Sequence, residues 1–108
     1  MIEVFYTAVL NNDIPKVLHL VKVQGVDVDF PDEQNYQETA LHKAAEKGYQ
    51  EMVHLLVELG ADVKVDDMGG VFAMHKAFKA GYMEIARYLM NKGTPFSEYV
   101  EECLNNLK

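Results

Sequence analysis

The chain has 108 residues, of which 49% are hydrophobic and 25% are charged, as is typical of one small globular domain. Seventeen acidic residues outnumber ten lysines and arginines, so the formal net charge is −7, which argues against nucleic acid or an anionic membrane surface as a partner. No apolar run is long enough to span a membrane, and a single cysteine, Cys103, excludes an internal disulfide and suits an intracellular compartment, the cytosol or nucleus.

The first predicted unit, from about Phe5 to Asp29, is a faint copy of a pattern found further along the chain. At a shift of 35 residues five positions are identical, and His19, Leu20, Gly25, Asp27 and Val28 match His54, Leu55, Gly60, Asp62 and Val63. The flanking segments align only if two extra residues fall between Phe30 and Glu38. The sequence therefore predicts a longer loop between the first and second units.

The middle unit, residues 39–60, has the pattern of two short helices. In the first helix Leu41, Ala44 and Ala45 share one face, and Gly48 ends the helix because glycine tolerates the left-handed conformation. The second helix has apolar residues at the spacing of an amphipathic helix, namely Met52, Val53, Leu55, Leu56 and Leu59. A second glycine closes the unit.

An extended finger with a turn is predicted for residues 61–67 followed by Gly69 and Gly70. The third unit then repeats the second, since residues 72–93 match residues 39–60 at nine of 22 positions, where average composition would give about one or two. The small alanines of the first helices allow a neighbouring helix to approach closely. We therefore expect the units to stack, because no single helix pair buries its apolar face alone.

The middle unit, which runs T-A-L-H-K-A-A-E-K-G-Y from Thr39, resembles the T-P-L-H-x-A signature and the 33-residue period of the ankyrin repeat. The resemblance implies an all-α fold, an ankyrin-repeat solenoid of stacked antiparallel helix pairs with β-turn fingers. It predicts a single domain over residues 1–108, with repeats at about 5–37, 38–70 and 71–97.

The sequence departs from the ankyrin pattern at several positions. The proline of the signature is Ala40 in the middle unit and Ala73 in the third. Phe72 replaces the threonine in the third unit, so the usual bond from its hydroxyl to the imidazole of His75 is expected to be missing. Phe78 takes the place of a small alanine, which predicts that the stack ends or bends there, or that another surface covers the ring.

After the third unit the pattern changes, and a last helix is predicted over residues 98–107. Ser97 is its expected N-cap, and Val100, Leu104 and Leu107 share one apolar face. We interpret this helix as a C-terminal cap, with a truncated fourth repeat as the alternative, since terminal units of solenoids are often atypical.

The residues that carry chemistry do not form a recognisable catalytic or metal site. Four histidines, His19, His42, His54 and His75, recur at repeat spacing without a neighbouring cysteine, so we interpret them as structural and not as metal ligands. Cys103 lies among acidic residues, which disfavour a reactive thiolate. With no glycine-rich phosphate loop and no paired nucleophile and base, the sequence predicts no enzyme activity, no metal and no cofactor.

In the ankyrin family, partners dock on the fingers and first helices, and the resemblance implies this role for eleven positions. They are Gln34, Asn35, Tyr36, Glu38, Met68 and Val71 in the fingers, and Asn11, Asn12, Glu46, Lys47 and Lys79 at the ends of the first helices. Tyr36 is predicted to be the main anchor, because apolar or aromatic residues exposed in a loop are unexpected unless they contact a partner. The alternative is that Tyr36 folds back against Phe30. Glu46, Lys47 and Lys79 are expected to set the charge preference.

The sequence therefore predicts a module that binds another protein, either a separate adaptor or inhibitor or the ankyrin portion of a larger chain. The alternative is a homo-oligomeric assembly protein that forms a homodimer by pairing its C-terminal helices. The partner itself does not follow from the sequence, because ankyrin stacks bind unrelated proteins through the same face.

Overall fold

The computed structural model describes residues 2–94, and this range contains six α-helices arranged as three consecutive pairs. The helices are α1 (Ile2–Leu10), α2 (Ile14–Lys22), α3 (Ala40–Lys47), α4 (Gln50–Glu58), α5 (Ala73–Lys79) and α6 (Met83–Asn91). The first helices of the pairs contact one another in the order α1, α3, α5, and each contacts the second helix of its own pair. The predicted all-α stack of helix pairs is confirmed, whereas the predicted capping helix at 98–107 and Cys103 lie outside the described residues.

Helix α3 has specific groups at both ends that fix its length. At its start the Thr39 hydroxyl accepts the backbone N–H of His42 (3.4 Å), and His42 Nδ1 accepts the backbone N–H of Thr39 (3.2 Å), so two amides without a helical partner are satisfied. At its end Gly48 adopts the predicted left-handed conformation, with φ of 75°. Helix α5 retains the bond from the Phe72 N–H to His75 Nδ1 (3.2 Å), but Phe72 has no hydroxyl to complete the cap.

Small side chains form a seam between α3 and α5. The alanines of these helices are buried, namely Ala40, Ala44, Ala45, Ala73 and Ala77, and because each contributes one methyl group the two backbones can approach closely. Larger apolar residues of the second helices fill the space behind the seam, namely Met52, Val53, Leu56, Ile85 and Leu89. Phe78, the bulky replacement in the third unit, lies half-buried against this core.

Two extended loops precede α3 and α5, and we call them finger 1, residues 30–38, and finger 2, residues 65–72. In finger 1 the N–H of Asp32 donates to the C=O of Glu38 (2.8 Å). In finger 2 the N–H of Asp67 donates to the C=O of Val71 (2.9 Å). The first bond encloses five residues and the second encloses three, so finger 1 contains the two extra residues that the repeat alignment predicts.

Tyrosines connect the tight turns of successive helix pairs. The hydroxyl of Tyr49 donates to the C=O of Leu10 in the preceding turn (2.9 Å). One repeat later, the ring of Tyr82 lies against Gly48, where an added Cβ would be 2.5 Å from Cζ of the ring. Gly48 is therefore required both for its left-handed backbone and for its lack of a side chain.

We expect Gly48→Ala to destabilise the fold more than Gly81→Ala, the same change one repeat later. Both glycines have positive φ, 75° and 88°, which costs an alanine roughly 1 kcal/mol. Only at Gly48 does the new methyl group meet the Tyr82 ring, so urea denaturation should show a total loss of about 2 kcal/mol there. The explanation would be wrong if both glycine variants lost the same free energy of unfolding. It would also be wrong if adding Tyr82→Ala to Gly48→Ala did not reduce the destabilisation caused by the alanine.

Candidate partner-binding surface

The predicted binding residues occupy two regions of the stack, the fingers and the ends of the first helices. Most are exposed to solvent, namely Gln34, Asn35, Tyr36 and Met68 in the fingers and Asn11, Asn12, Glu46, Lys47 and Lys79 at the helix ends. Glu38 and Val71 differ from the others because they are half-buried.

The tips of the two fingers are joined by a backbone hydrogen bond. The N–H of Met68 donates to the C=O of Tyr36 (2.8 Å), which brings together two residues that the sequence predicts separately. Their side chains are 65% and 75% exposed, respectively, so Tyr36 is not buried against Phe30. We call Tyr36 and Met68 the fingertip pair.

An aspartate at the base of each finger fixes the course of the loop. The Asp32 carboxylate accepts the N–H of Gln34 (3.2 Å) and the side-chain amide of Asn35 (2.8 Å). In finger 2 the Asp67 carboxylate likewise accepts the N–H of Gly69 (2.8 Å). Such bonds between a side chain and its own loop stabilise the turn.

A chain of ion pairs runs beneath finger 1 from α3 to α5. Lys43 Nζ lies 2.9 Å from the carboxylate of Asp32 and 3.7 Å from that of Glu38. Lys76 Nζ lies 2.9 Å from Glu38 and 3.5 Å from Glu46. Glu38, a predicted contact residue, is therefore held between two lysines, and only 14% of its side chain is exposed.

Both signs of charge are stabilised in this network. Burial would raise the pKa of Asp32, but hydrogen bonds from Lys43 and from a neighbouring amide outweigh it and hold the pKa below its ordinary value. Burial would lower the pKa of Lys76, but its bond to Glu38 and the other nearby carboxylate raise the pKa instead. Because carboxylates neutralise Lys43 and Lys76, these lysines do not form a free basic patch.

His42 connects the second helix pair to finger 2. Its Nε2 lies 2.7 Å from the C=O of Val71, which can only accept, so Nε2 carries the proton and Nδ1 is left to accept the N–H of Thr39. The ring is fully buried, and burial lowers the pKa of His42 although the Val71 carbonyl and the charge of Asp67 oppose the shift. Val71, a predicted contact residue, thus has a structural role through its backbone.

A cleft of about 360 Å³ lies between α1 and finger 1, and the sequence-based prediction did not include it. We call it the finger cleft. Residues of both elements line it, among them Glu3, Thr7 and Leu10 of α1 and Phe30, Pro31 and Glu33 of finger 1. Glu3, Thr7 and Leu10 are four and three residues apart, which places them on one face of α1. This spacing was the feature of the sequence that pointed to the α1 wall of the cleft.

Tyr6 lies at the floor of the finger cleft. Its hydroxyl donates to the C=O of Phe30 (2.7 Å), and Lys43 Nζ lies 5.1 Å from the centre of its ring. Burial, followed by the charges of Asp32, Asp27 and Glu33, raises the pKa of Tyr6 to about 12. The cleft therefore combines apolar walls with a negative electrostatic field.

Of the eleven predicted residues, only Gln34 and Asn35 line this cleft. Asn12 lines a different groove of about 780 Å³ together with Tyr49 and residues of α4. Lys47 and Lys79 are exposed at the last turns of α3 and α5. The eleven predicted residues are thus spread along the stack and do not form a single pocket.

Three of the four histidines have structural positions. His42 and His75 are buried at the starts of α3 and α5, and His54 stacks on the ring of Tyr88 with centroids 3.9 Å apart. Within residues 2–94, no three side chains of His, Cys, Asp or Glu come together as they would around a metal ion. No helix in that range has the length and apolar character needed to cross a membrane.

Comparison with known proteins agrees with the helix pairs and fingers described above. The family model described as ankyrin repeats (3 copies) matches residues 5–98. The chain belongs to the ankyrin repeat family. It is also similar to the histone-lysine N-methyltransferase EHMT1 of Mus musculus and of Homo sapiens, with 36% identity over 58 residues in each case. The matched segment is 54% of this ankyrin repeat chain but only 4% of each methyltransferase.

Lowering the pH below about 6.5 should destabilise this ankyrin stack. In the unfolded chain a histidine binds a proton near its ordinary pKa of 6.5, whereas burial holds the pKa of His42 and His75 below that value in the folded chain. As the pH falls, the unfolded state therefore binds more protons than the folded state, and the free energy of unfolding decreases.

Urea denaturation at about pH 7.5 and about pH 5.5 measures this loss of stability. His42→Gln removes one of the two titrating groups, so the loss between the two pH values should be smaller than in the unaltered chain. If the loss of stability between the two pH values is as large in His42→Gln as in the unaltered chain, His42 does not contribute to it.

Proposed function

We propose that this ankyrin repeat chain binds a partner protein through its finger tips and the adjacent face of its first helices. Ankyrin repeats are generally protein–protein interaction modules. The observation that carries the proposal is the fingertip pair, Tyr36 and Met68, which are largely exposed and joined through their backbones. Covering large apolar side chains of this kind removes them from water and favours association, and aromatic anchors dominate the energetics of many interfaces.

The finger backbone supports the same conclusion. Tyr36 and Gln37 both have φ of 60°, a left-handed conformation that costs a non-glycine residue roughly 1–2 kcal/mol. Strained backbone of this kind clusters at functional sites. A bulky side chain at position 36, where glycine would relieve the strain, fits a residue that is kept for contact with a partner.

The exposed ends of the first helices supply the charge preference in this proposal. Lys47 and Lys79 are exposed, and Glu46 is exposed although it also contacts Lys76. The two more deeply placed lysines are already paired with carboxylates. A surface without a dense positive patch favours a protein over a nucleic acid as the partner.

We infer that the chain acts by binding and not by catalysis. The polar side chains at the floor of the finger cleft are already engaged, since Tyr6 donates to a backbone carbonyl and Lys43 pairs with Asp32. A catalytic nucleophile needs a base within hydrogen-bond reach, and the arrangement around these residues is that of a structural network. The methyltransferases that resemble the chain share only a small part of their length with it.

Replacing either member of the fingertip pair with alanine should weaken partner binding by about 2 kcal/mol, or roughly 30-fold in Kd, with little change in melting temperature. The measurement is an affinity pull-down with the intact chain, followed by titration of the captured partner. Leu18→Ala is the matched control, because Leu18 is also apolar and exposed but lies on α2. An equal loss in the control, or failure of Tyr36→Ala to fold, would contradict the proposal.

Tyr36→Gly should weaken partner binding but have a more stable fold than Tyr36→Ala. Glycine adopts φ of 60° without the steric penalty, so the free energy of unfolding should increase by up to about 1 kcal/mol relative to Tyr36→Ala, which keeps that penalty. Thermal and urea denaturation of the two variants measure the difference. Equal stability of the two variants would show that residue 36 is not strained.

A further inference from the structure

The charge of the fingers indicates which kind of partner segment this surface takes. Resting on the proposed function, we propose that the finger cleft receives a short extended segment of the partner that carries lysine or arginine residues around one apolar side chain. The apolar side chain enters the cleft, and the cationic side chains pair with carboxylates at its rim.

The size and walls of the cleft suit one apolar side chain and its neighbours. A volume of about 360 Å³ is near the lower end of the range for binding pockets. Leu10 of α1 and Phe30 and Pro31 of finger 1 contribute apolar wall, and both Leu10 and Phe30 are exposed to solvent. A partner side chain in the cleft would remove this apolar surface from water.

Negative charge is concentrated in the two fingers and in the four residues that precede each of them. Residues 26–38 and 61–72 hold eight acidic residues against one basic residue, Lys64, which gives a formal charge of −7. The remainder of residues 2–94 holds six acidic and eight basic residues, a formal charge of +2. A field with this asymmetry attracts cationic segments to the fingers and speeds their association.

Two carboxylates at the rim of the cleft are left for a partner. Lys43 and Lys76 already pair with the carboxylates of Asp32, Glu38 and Glu46. Glu3 and Glu33 both line the cleft and are exposed, and neither forms an ion pair with another residue of the described range. At the floor of the cleft, nearby carboxylates including Glu33 add to burial in raising the pKa of Tyr6 to about 12.

Other occupants leave part of this surface unsatisfied. A second copy of the chain would bring one set of acidic fingers towards another, and a nucleic acid would bring phosphates towards Glu3 and Glu33. An uncharged apolar peptide would fill the cleft but would leave both rim carboxylates unpaired. A cationic segment with an apolar anchor covers the apolar walls and also pairs with both rim carboxylates.

Random peptides displayed on phage and selected on the intact chain provide the probe. The selected sequences should contain more lysine and arginine than aspartate and glutamate, with at least one aromatic or branched aliphatic residue. A synthetic peptide of the selected sequence should bind the double variant Glu3→Gln/Glu33→Gln about tenfold more weakly than the unaltered chain. Raising the ionic strength from about 0.1 M to about 1 M should remove most of that difference, because salt screens exposed charges.

The double variant Glu51→Gln/Glu84→Gln is the matched control. Glu51 and Glu84 are exposed acidic residues in the first turns of α4 and α6, as Glu3 is in the first turn of α1. The control therefore removes the same total charge from the second helices and leaves the cleft intact. It should keep the peptide affinity within about twofold of the unaltered chain.

Selected peptides without a basic excess, or equal affinity for the two double variants, would overturn the cationic assignment. The proposed function would still stand in that case if Tyr36→Ala weakened peptide binding. Peptides whose affinity depends on neither Tyr36 nor the rim carboxylates, or a selection that yields no binder, would contradict both the inference and the proposed function.

Discussion

The close approach of α3 and α5 is the constraint on which the rest of the structure depends. Alanines such as Ala44 and Ala77 keep the two backbones near each other, and this spacing also sets the separation of the fingers that precede the helices. At that separation the N–H of Met68 reaches the C=O of Tyr36 (2.8 Å). A bulkier side chain in the seam would therefore strain the core and also move the fingertip pair apart.

Buried polar groups determine how successive repeats align once the apolar faces have met. His42 uses one ring nitrogen for the start of its own helix and the other for a carbonyl of the next finger. Lys43 and Lys76 lie on either side of Glu38 and link α3, α5 and finger 1. Such groups add little net stability when paired, but any other alignment leaves them buried and unpaired at a large cost.

The helix pairs and the longer first finger could be predicted because close packing repeats the same residue types every 33 positions. The exposure of Tyr36 and Met68 agrees with their predicted role as contacts, which binding measurements have yet to test. The ionic role of Glu38 could not be predicted, because its partner Lys76 is distant in sequence and charge pairing between repeats has no period. For the finger cleft the sequence offered only the shared helix face of Glu3, Thr7 and Leu10, because the opposite wall forms only where finger 1 meets α1 in space.

The hydrogen bonds that shape finger 1 lie at its base, where Asp32 accepts bonds from the loop and donates its own N–H to Glu38. The side chains of residues 33–37 are exposed and lie outside the apolar core. The residues that specify the architecture are therefore largely distinct from those that meet solvent at the tip. Evolution, or a protein engineer, can diversify residues 33, 34, 36 and 37 to retarget the module, while Asn35 keeps its bond to Asp32 and the scaffold keeps its form.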